Sequence, residues 1–312
     1  MTLFNFSEKF PDEETCKEYF RHHREKQGVV CKKCGHTEHY WKQDKQQFEC
    51  KKCKFRTTLK SGTVLHGSKL PFRYWFMTMH LLTSTKKTFS ALEVQRQIKH
   101  KYYKPIWILM HKLRVAMGNR DAQYDLEGLV EMDEGFFETI TVLKPDELTG
   151  KLPNKKRGRG SQKQGKVLVM VSTQLSSKEE LNEKKNKHKP NSKCKYLKLI
   201  HVEDLTSDTI NKEVQKNIEG LSKIKTDKYR GYNKLKDKGY LHEALNMSKI
   251  KEVHKIFPWV HTAIGNAKKI LQGIHHSNKN DYLQNYLNEF SYKFNRRYFK
   301  EQLFDRLIVA CI

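Results

Sequence analysis

Leu129-Val130-Glu131-Met132-Asp133-Glu134-Gly135-Phe136-Phe137-Glu138-Thr139-Ile140-Thr141 is an apolar and aromatic run with carboxylates set into it, and it reads as a β-strand. A carboxylate inside such a run costs free energy unless something compensates it, and a metal ion is the usual compensation. Asp133, Glu134 and Glu138 are the candidates. Alternation along a strand puts Glu134 and Glu138 on the face opposite Asp133. An exposed edge with solvated acids is the plainer alternative.

Working toward the carboxyl end, residues 144–166 are rich in Lys, Arg, Gly and Gln and read as a mobile loop. Lys155, Lys156, Arg157 and Arg159 within it could grip phosphates. Val167–Val171 is a second strand, a charged insert fills roughly 175–195 with an incidental Cys194, and Lys198–Val202 is a third strand. A helix then runs from Ser207 to about Ile218. Three strands followed by a helix fit an α/β layout with an antiparallel meander. In Lys225-Thr226-Asp227-Lys228-Tyr229-Arg230-Gly231-Tyr232 a strand ends at an acid and enters a Gly-containing turn. The carboxyl end of a strand is where α/β sheets gather their active sites. Thr262–Lys269 and Tyr282–Phe290 read as helices, the second mostly core-forming.

Toward the amino end, residues 11–27 read as a helix with Pro11 at its first position, acids at its positive end and Gly28 at its stop. Cys31-Lys32-Lys33-Cys34 and Cys50-Lys51-Lys52-Cys53 are two CxxC knuckles with 15 residues between them, the spacing of a four-thiolate zinc site. A two-residue spacer places two sulfurs on one metal, and a hairpin through His39–Trp41 and Gln47–Glu49 brings the second pair opposite. His36 and His39 could compete, but Cys31, Cys34, Cys50 and Cys53 already close a tetrahedron. Such a site folds its module and does no chemistry. Lys51, Lys52, Lys54 and Arg56 make the ribbon basic, which fits either DNA contact or a solvated surface. Residues 70–117 read as three helices, one opened by the capping pattern Ser90-Ala91-Leu92-Glu93. The last carries Ile106, Leu109, Met110, Leu113 and Met117 at helical spacing, and a helix–turn–helix would present Lys112 and Arg114 on its exposed side.

The 312 residues carry 61 Lys+Arg against 35 Asp+Glu, a formal net charge of +26. That excess calls for a polyanionic partner, nucleic acid or an acidic membrane surface. No stretch approaches about 18 consecutive apolar residues, so no membrane-spanning helix is expected. The first residues lack the apolar core of a signal peptide, so the seven cysteines are expected in a reducing compartment, the cytoplasm, where metal binding is the better reading of clustered thiols.

The order of "MDEGFFE", "TDKYRGY", "PWVHTAIGNAK", "GIHH" and "YLQNYLNEFSYKFNRR" behind a ribbon and helices resembles insertion-sequence transposases of the ISXO type. The resemblance covers about residues 10–300. It implies a zinc ribbon joined to an RNase H-like, mixed-sheet α/β catalytic domain. On that basis the chain divides into an N-terminal helix (1–28), the ribbon (29–60), a helical DNA-binding module (68–120), the catalytic domain (126–300, with basic inserts near 144–166 and 175–195) and a tail (301–312).

The family also implies a DDE-like site, with Asp133 matching the first acid and Asp227 the second. No Glu stands between 257 and 275, so the third position departs from the commonest form. The variant with Asn fits Asn266, followed by Lys268 and Lys269 as possible phosphate contacts; His261 is the rival third ligand and Glu134 a possible support. Two Mg²⁺ (or Mn²⁺) ions about 4 Å apart, held by Asp133, Asp227 and Asn266, would serve cleavage at element ends and transfer of the freed 3′-hydroxyls into target DNA. Double-stranded DNA is then the partner, as inverted-repeat ends and as target, and two copies of the chain should act together. A DNA-binding relative without catalysis, a structure-selective RNase H-like nuclease and an RNA-binding ribbon protein are the rivals.

Overall fold

The computed structural model describes residues 1–139, 164–182, 190–246, 256–275 and 279–312. They form two compact units: Met1–Arg120 with Arg296–Ile312, and Asp121–Asn295. The elements of the first stretch are α1 (Leu3–Lys9), α2 (Glu13–Gln27), β1 (His39–Lys42), β2 (Gln47–Cys50), β3 (Arg56–Thr58), α3 (Phe72–Ser84), α4 (Ala91–Gln97) and α5 (Tyr103–Asp121). Then follow β4 (Leu129–Glu138), β5 (Gln164–Leu175), α6 (Lys178–Asn182), β6 (Ser192–Val202), α7 (Ser207–Asn217), β7 (Lys223–Asp227), a 3₁₀ helix (Arg230–Lys238), β8 (Leu241–Leu245), α8 (Pro258–Ile274), α9 (Asn280–Asn295) and α10 (Leu303–Cys311). None of the described helices is long and apolar enough to cross a membrane.

In the first unit, α2 starts at Glu13, two residues later than Pro11 suggested. Asp12 is the cap, taking the Thr15 N–H at 2.8 Å, and Gly28 ends the helix at φ +87°. The helix buries Cys16, Phe20 and Arg24. The Arg24 guanidinium donates to the carbonyls of Thr58, Leu59 and Ser61 at 2.6–2.8 Å, which ties α2 to the loop leaving β3. β1, β2 and β3 form an antiparallel sheet, the ribbon. α3 follows Pro71, which has no side-chain cap to offer, and Glu13 supplies one from α2: its two oxygens each accept a backbone N–H, from Phe72 and Arg73, at 2.8 Å. Ser90 caps α4 through the Glu93 N–H, as its sequence pattern indicates.

Residues 301–312, expected as a C-terminal tail, carry the helix α10, which buries Leu303, Phe304, Leu307, Ile308 and Cys311, and Phe304 packs among Phe6, Phe10 and Phe76. The apolar spacing of that segment covers a core. Arg114 is not on an exposed face: α5 buries His111, Arg114 and Ala116 besides the five expected apolar positions, so its buried surface is wider than one apolar stripe. Lys112 is half-buried and donates to the His66 carbonyl at 2.7 Å.

The second unit is built on a mixed sheet in the order β6-β5-β4-β7-β8. β4, β5 and β6 form the antiparallel meander; β7 lies parallel to β4, and β8 parallel to β7. This is the RNase H-like arrangement. The apolar run in β5 is explained by burial on both faces. Val167, Val169 and Val171 meet α8 and α9 through Val260, Ala263, Ala267, Leu283 and Leu287. Leu168 and Met170 meet the other layer, with Ile210, Val214, Tyr232 and Leu235. β4 sits in the middle of this sandwich and buries Glu131 and Glu134, while Asp133 is half-buried and Glu138, at its end, is exposed.

Candidate catalytic site and zinc site

β4 and β7 run parallel in the register Leu129↔Lys223, Val130↔Ile224, Glu131↔Lys225, and pairing stops there. Two residues further along each strand stand Asp133 and Asp227, at the same level. Each aspartate is fixed by a backbone donor: Asp133 Oδ1 accepts the Glu134 N–H at 2.8 Å, and Asp227 Oδ1 accepts the Tyr229 N–H at 2.9 Å. The second bond bends the chain directly after the strand. Gly231 follows, and a Cβ there would come within 2.6 Å of the Tyr229 ring and 2.7 Å of Ile210, so any other residue would displace those side chains.

Alternation holds along β4. Asp133 shares parity with Gly135 and Phe137, toward α8; Glu134 shares parity with Val130 and Met132, toward the α7 layer. Even so, one oxygen from each of Asp133, Glu134 and Asp227 lies within 4.8 Å of the other two. At an effective dielectric of about 20, each like-charged pair at that distance costs about 3 kcal/mol. Such a group holds together best around a cation, and hard carboxylate oxygens suit Mg²⁺ or Mn²⁺. The donor set fits. Behind it, burial and then the neighbouring charge of Glu134 push the Tyr232 phenol well above its ordinary range.

His261, in the first turns of α8, places Nδ1 3.8 Å from Asp133 Oδ2. Lys268, two turns on, shares its side of the helix, with Nζ 5.9 Å from the Phe137 ring centroid. Gly135 faces α8, where a Cβ would make an ordinary contact with Ile264 at 3.6 Å but would press on the Phe137 ring of its own strand at 2.9 Å. Asn266 lies on an outer face of α8. It is exposed, and five residues after His261 it is turned about 140° around the helix axis. Lys269 is exposed on a different side again. The acid found with Asp133 and Asp227 is Glu134, and His261 of α8 lies beside Asp133.

Sequence reasoning passed over Glu131. It is buried, and its Oε2 accepts the N–H groups of Trp259 and Val260 at 3.1 and 3.2 Å. Burial raises its carboxyl to about 7, against the opposing pull of the Val260 and Trp259 N–H groups. Its parity with Asp133 on an apolar strand was the available signal.

In the ribbon, Cys31 Sγ and Cys53 Sγ are 3.6 Å apart, as are Cys34 Sγ and Cys50 Sγ. Four sulfurs about 2.3 Å from a tetrahedral zinc stand about 3.8 Å from one another, whereas a disulfide needs about 2.05 Å. All four thiols are unbridged and within 4.8 Å of each other, so they fit a closed structural zinc. Lys51, Lys52, Lys54 and Arg56 are exposed on this module. Lys51 pairs with Glu38 and Arg56 with Glu49, each at 3.1 Å, and Lys51 and Lys54 lie over the exposed ring of Tyr40. Lys155, Lys156, Arg157 and Arg159, with most of the two basic inserts, lie outside the described residues.

The ISXO2-like transposase domain matches residues 125–295, and the transposase zinc-ribbon domain matches residues 11–56. No curated protein matches the sequence. Among solved structures, the Mos1 transposase paired-end complex with left transposon end is 11% identical, covering 78% of this chain and 80% of that one at a TM-score of 0.27. The Mos1 strand transfer complex is 12% identical, with 78% and 79% covered and a TM-score of 0.26. Scores this low carry no inference. The family matches span the ribbon and the whole sheet that bears the acids, and the chain belongs to the ISXO2-like transposases, DNA transposases with a zinc ribbon ahead of an RNase H-like domain.

Proposed function

We propose that Asp133 and Asp227, with Glu134 beside them, hold the divalent cations for cleavage and joining of DNA. The observation that carries this reading is the convergence of the three carboxylates at the end of β4–β7 pairing. Mg²⁺ bound there would activate the attacking water or 3′-hydroxyl and stabilise the leaving 3′-oxygen. The chain's own part is positional. Backbone N–H groups fix the two aspartates, so that their remaining oxygens are held in place before DNA arrives. His261 sets the direction of the Asp133 carboxylate, and Lys268 stands on the same helix side to meet a phosphate. Asn266, third in the family-based expectation, is exposed on α8 and carries no part of this proposal.

In the first reaction, water breaks the P–O3′ bond at an element end and frees a 3′-hydroxyl. In the second, that hydroxyl attacks a target phosphate and expels another 3′-oxygen. The phosphodiester bond is conserved, so no energy cofactor is required. Lys51, Lys52, Lys54 and Arg56 of the ribbon supply phosphate contacts at the inverted repeats, and the Lys155–Arg159 run adds to them. Such contacts give most of the affinity and its salt dependence. Synapsis of two ends calls for a dimer or higher oligomer on DNA in the cytoplasm.

The test is a labelled duplex carrying the inverted repeat of the element that encodes the chain, incubated with protein and Mg²⁺. Nicking at the repeat boundary and joining to a target plasmid support the proposal. Binding without cleavage in Mg²⁺ or Mn²⁺ would mark a DNA-binding relative. Cutting that follows branch structure and ignores the repeat would mark a nuclease.

A further inference from the structure

α8 begins without a cap of its own. Its N-cap is Phe257, which offers no side-chain acceptor, and Pro258 occupies the first helical position. The next two N–H groups, of Trp259 and Val260, are the ones an α-helix cannot satisfy internally. Val260 is fully buried, and a buried donor left without an acceptor costs about 1–3 kcal/mol. Both groups donate to one oxygen, Glu131 Oε2. The capping group thus comes from another element, the strand that carries Asp133. The positive end of a helix is in turn one of the few buried places where a carboxylate is at home.

The consequence is geometric. Glu131 and Asp133 are alternate residues of β4 and share a face. Trp259 and His261 are alternate residues at the start of α8. One rung of contact, Glu131 to Trp259 and Val260, lies directly behind the other, His261 to Asp133. A helix start pinned at Glu131 has little freedom to slide along the strand or rotate over it, and the rotation of α8 decides which of its side chains faces the acids.

We infer that Glu131 is a positioning residue for strand cleavage: by capping α8 from β4 it fixes the rotation of that helix and so holds His261 against Asp133. The inference rests on the reading of Asp133 as a metal-binding acid. Glu131 touches neither DNA nor the cations; it acts through α8. Its required property is a hydrogen-bond acceptor at that point, which an amide oxygen also provides.

The experiment compares Glu131→Ala and Glu131→Gln in the full-length protein, with kcat and KM for Mg²⁺-dependent nicking of the end duplex. Glu131→Ala should lower kcat about tenfold or more and leave KM for DNA within about twofold. Glu131→Gln should restore most of kcat. A double-mutant cycle of Glu131→Asp with His261→Ala keeps the test decisive if Glu131→Ala folds poorly, because Asp shortens the capping side chain and keeps its charge. Once His261 is gone, further change at Glu131 should cost less than half of its effect in the wild type. Wild-type kcat in Glu131→Ala, a Gln variant as slow as Ala, or additive effects in the cycle would each overturn the inference. Asp133→Asn is the separate control. If it still nicks DNA, the underlying assignment fails whatever Glu131 does.

Discussion

His261 Nδ1 and Asp133 Oδ2 stand 3.8 Å apart, one on α8 and the other on β4. That pair joins the helical layer to the acidic end of the sheet.

If α8 presents His261 and not Asn266, the two substitutions should differ. His261→Ala is expected to lower the rate of end cleavage about tenfold, the scale for a group that orients a metal ligand. Asn266→Ala should change it less than threefold. Single-turnover nicking with saturating Mg²⁺ measures both. The reverse order would mean that α8 turns about its axis when DNA and metal bind.

The three clustered carboxylates should cost stability when no cation is present. Asp133→Asn keeps an Oδ1 acceptor for the Glu134 N–H but removes one charge. In chelator the variant should therefore melt above the wild type. The gain is about 1 kcal/mol once solvent screening is allowed for, or about 3 °C. Added Mg²⁺ should close the gap by stabilising the wild type alone. Cleavage by the variant should fall about 100-fold or more at every Mg²⁺ concentration.

Zinc should be present at one ion per chain. A strong chelator should release it together with thiols reactive at Cys31, Cys34, Cys50 and Cys53, and end-duplex affinity should fall with it, because the ribbon sheet has little core besides the metal. Metal analysis with thiol titration, followed by a binding isotherm, checks this. Retention of affinity after the zinc has gone would place end recognition elsewhere.

Asp204 gives a pH signature. The hydroxyls of Thr206 and Thr209 and the Thr206 N–H hold its carboxyl down to about 2. The folded value lies below the unfolded one, so the stabilisation is complete above the ordinary aspartate range and is lost as pH falls through it toward 2. Asp204→Asn should be less stable than the wild type in urea at pH 6, and the difference should vanish near pH 2. An equal difference at both pH values would show that ionisation of Asp204 contributes nothing.

Much of the catalytic unit was legible from pattern. A short, valine-rich apolar run such as Val167–Val171 reads as a strand enclosed on both faces, and the acids Asp133 and Asp227 stood out because each interrupts or ends a strand. Ser90 and Glu93 announced α4, and the paired CxxC knuckles announced the ribbon. Rotation and depth were not legible. Periodicity located α8 but could not say which side meets β4, so Asn266 and His261 could not be ranked by it. It found the stripe of α5 but not that Arg114 is buried as well. β3 is three residues long, too short for any period to show. Glu131 was invisible as a cap because its partners, Trp259 and Val260, lie 128 and 129 residues away along the chain.

The central claim is that Asp133, Glu134 and Asp227 gather around divalent cations. Its most direct measurement is anomalous diffraction from crystals of the full chain soaked in Mn²⁺. A Mn²⁺ peak coordinated by Asp133 and Asp227 is expected in the wild type, with its loss in Asp227→Ala. Mn²⁺ bound elsewhere while those carboxylates coordinate nothing, or an unchanged peak in the variant, would contradict it.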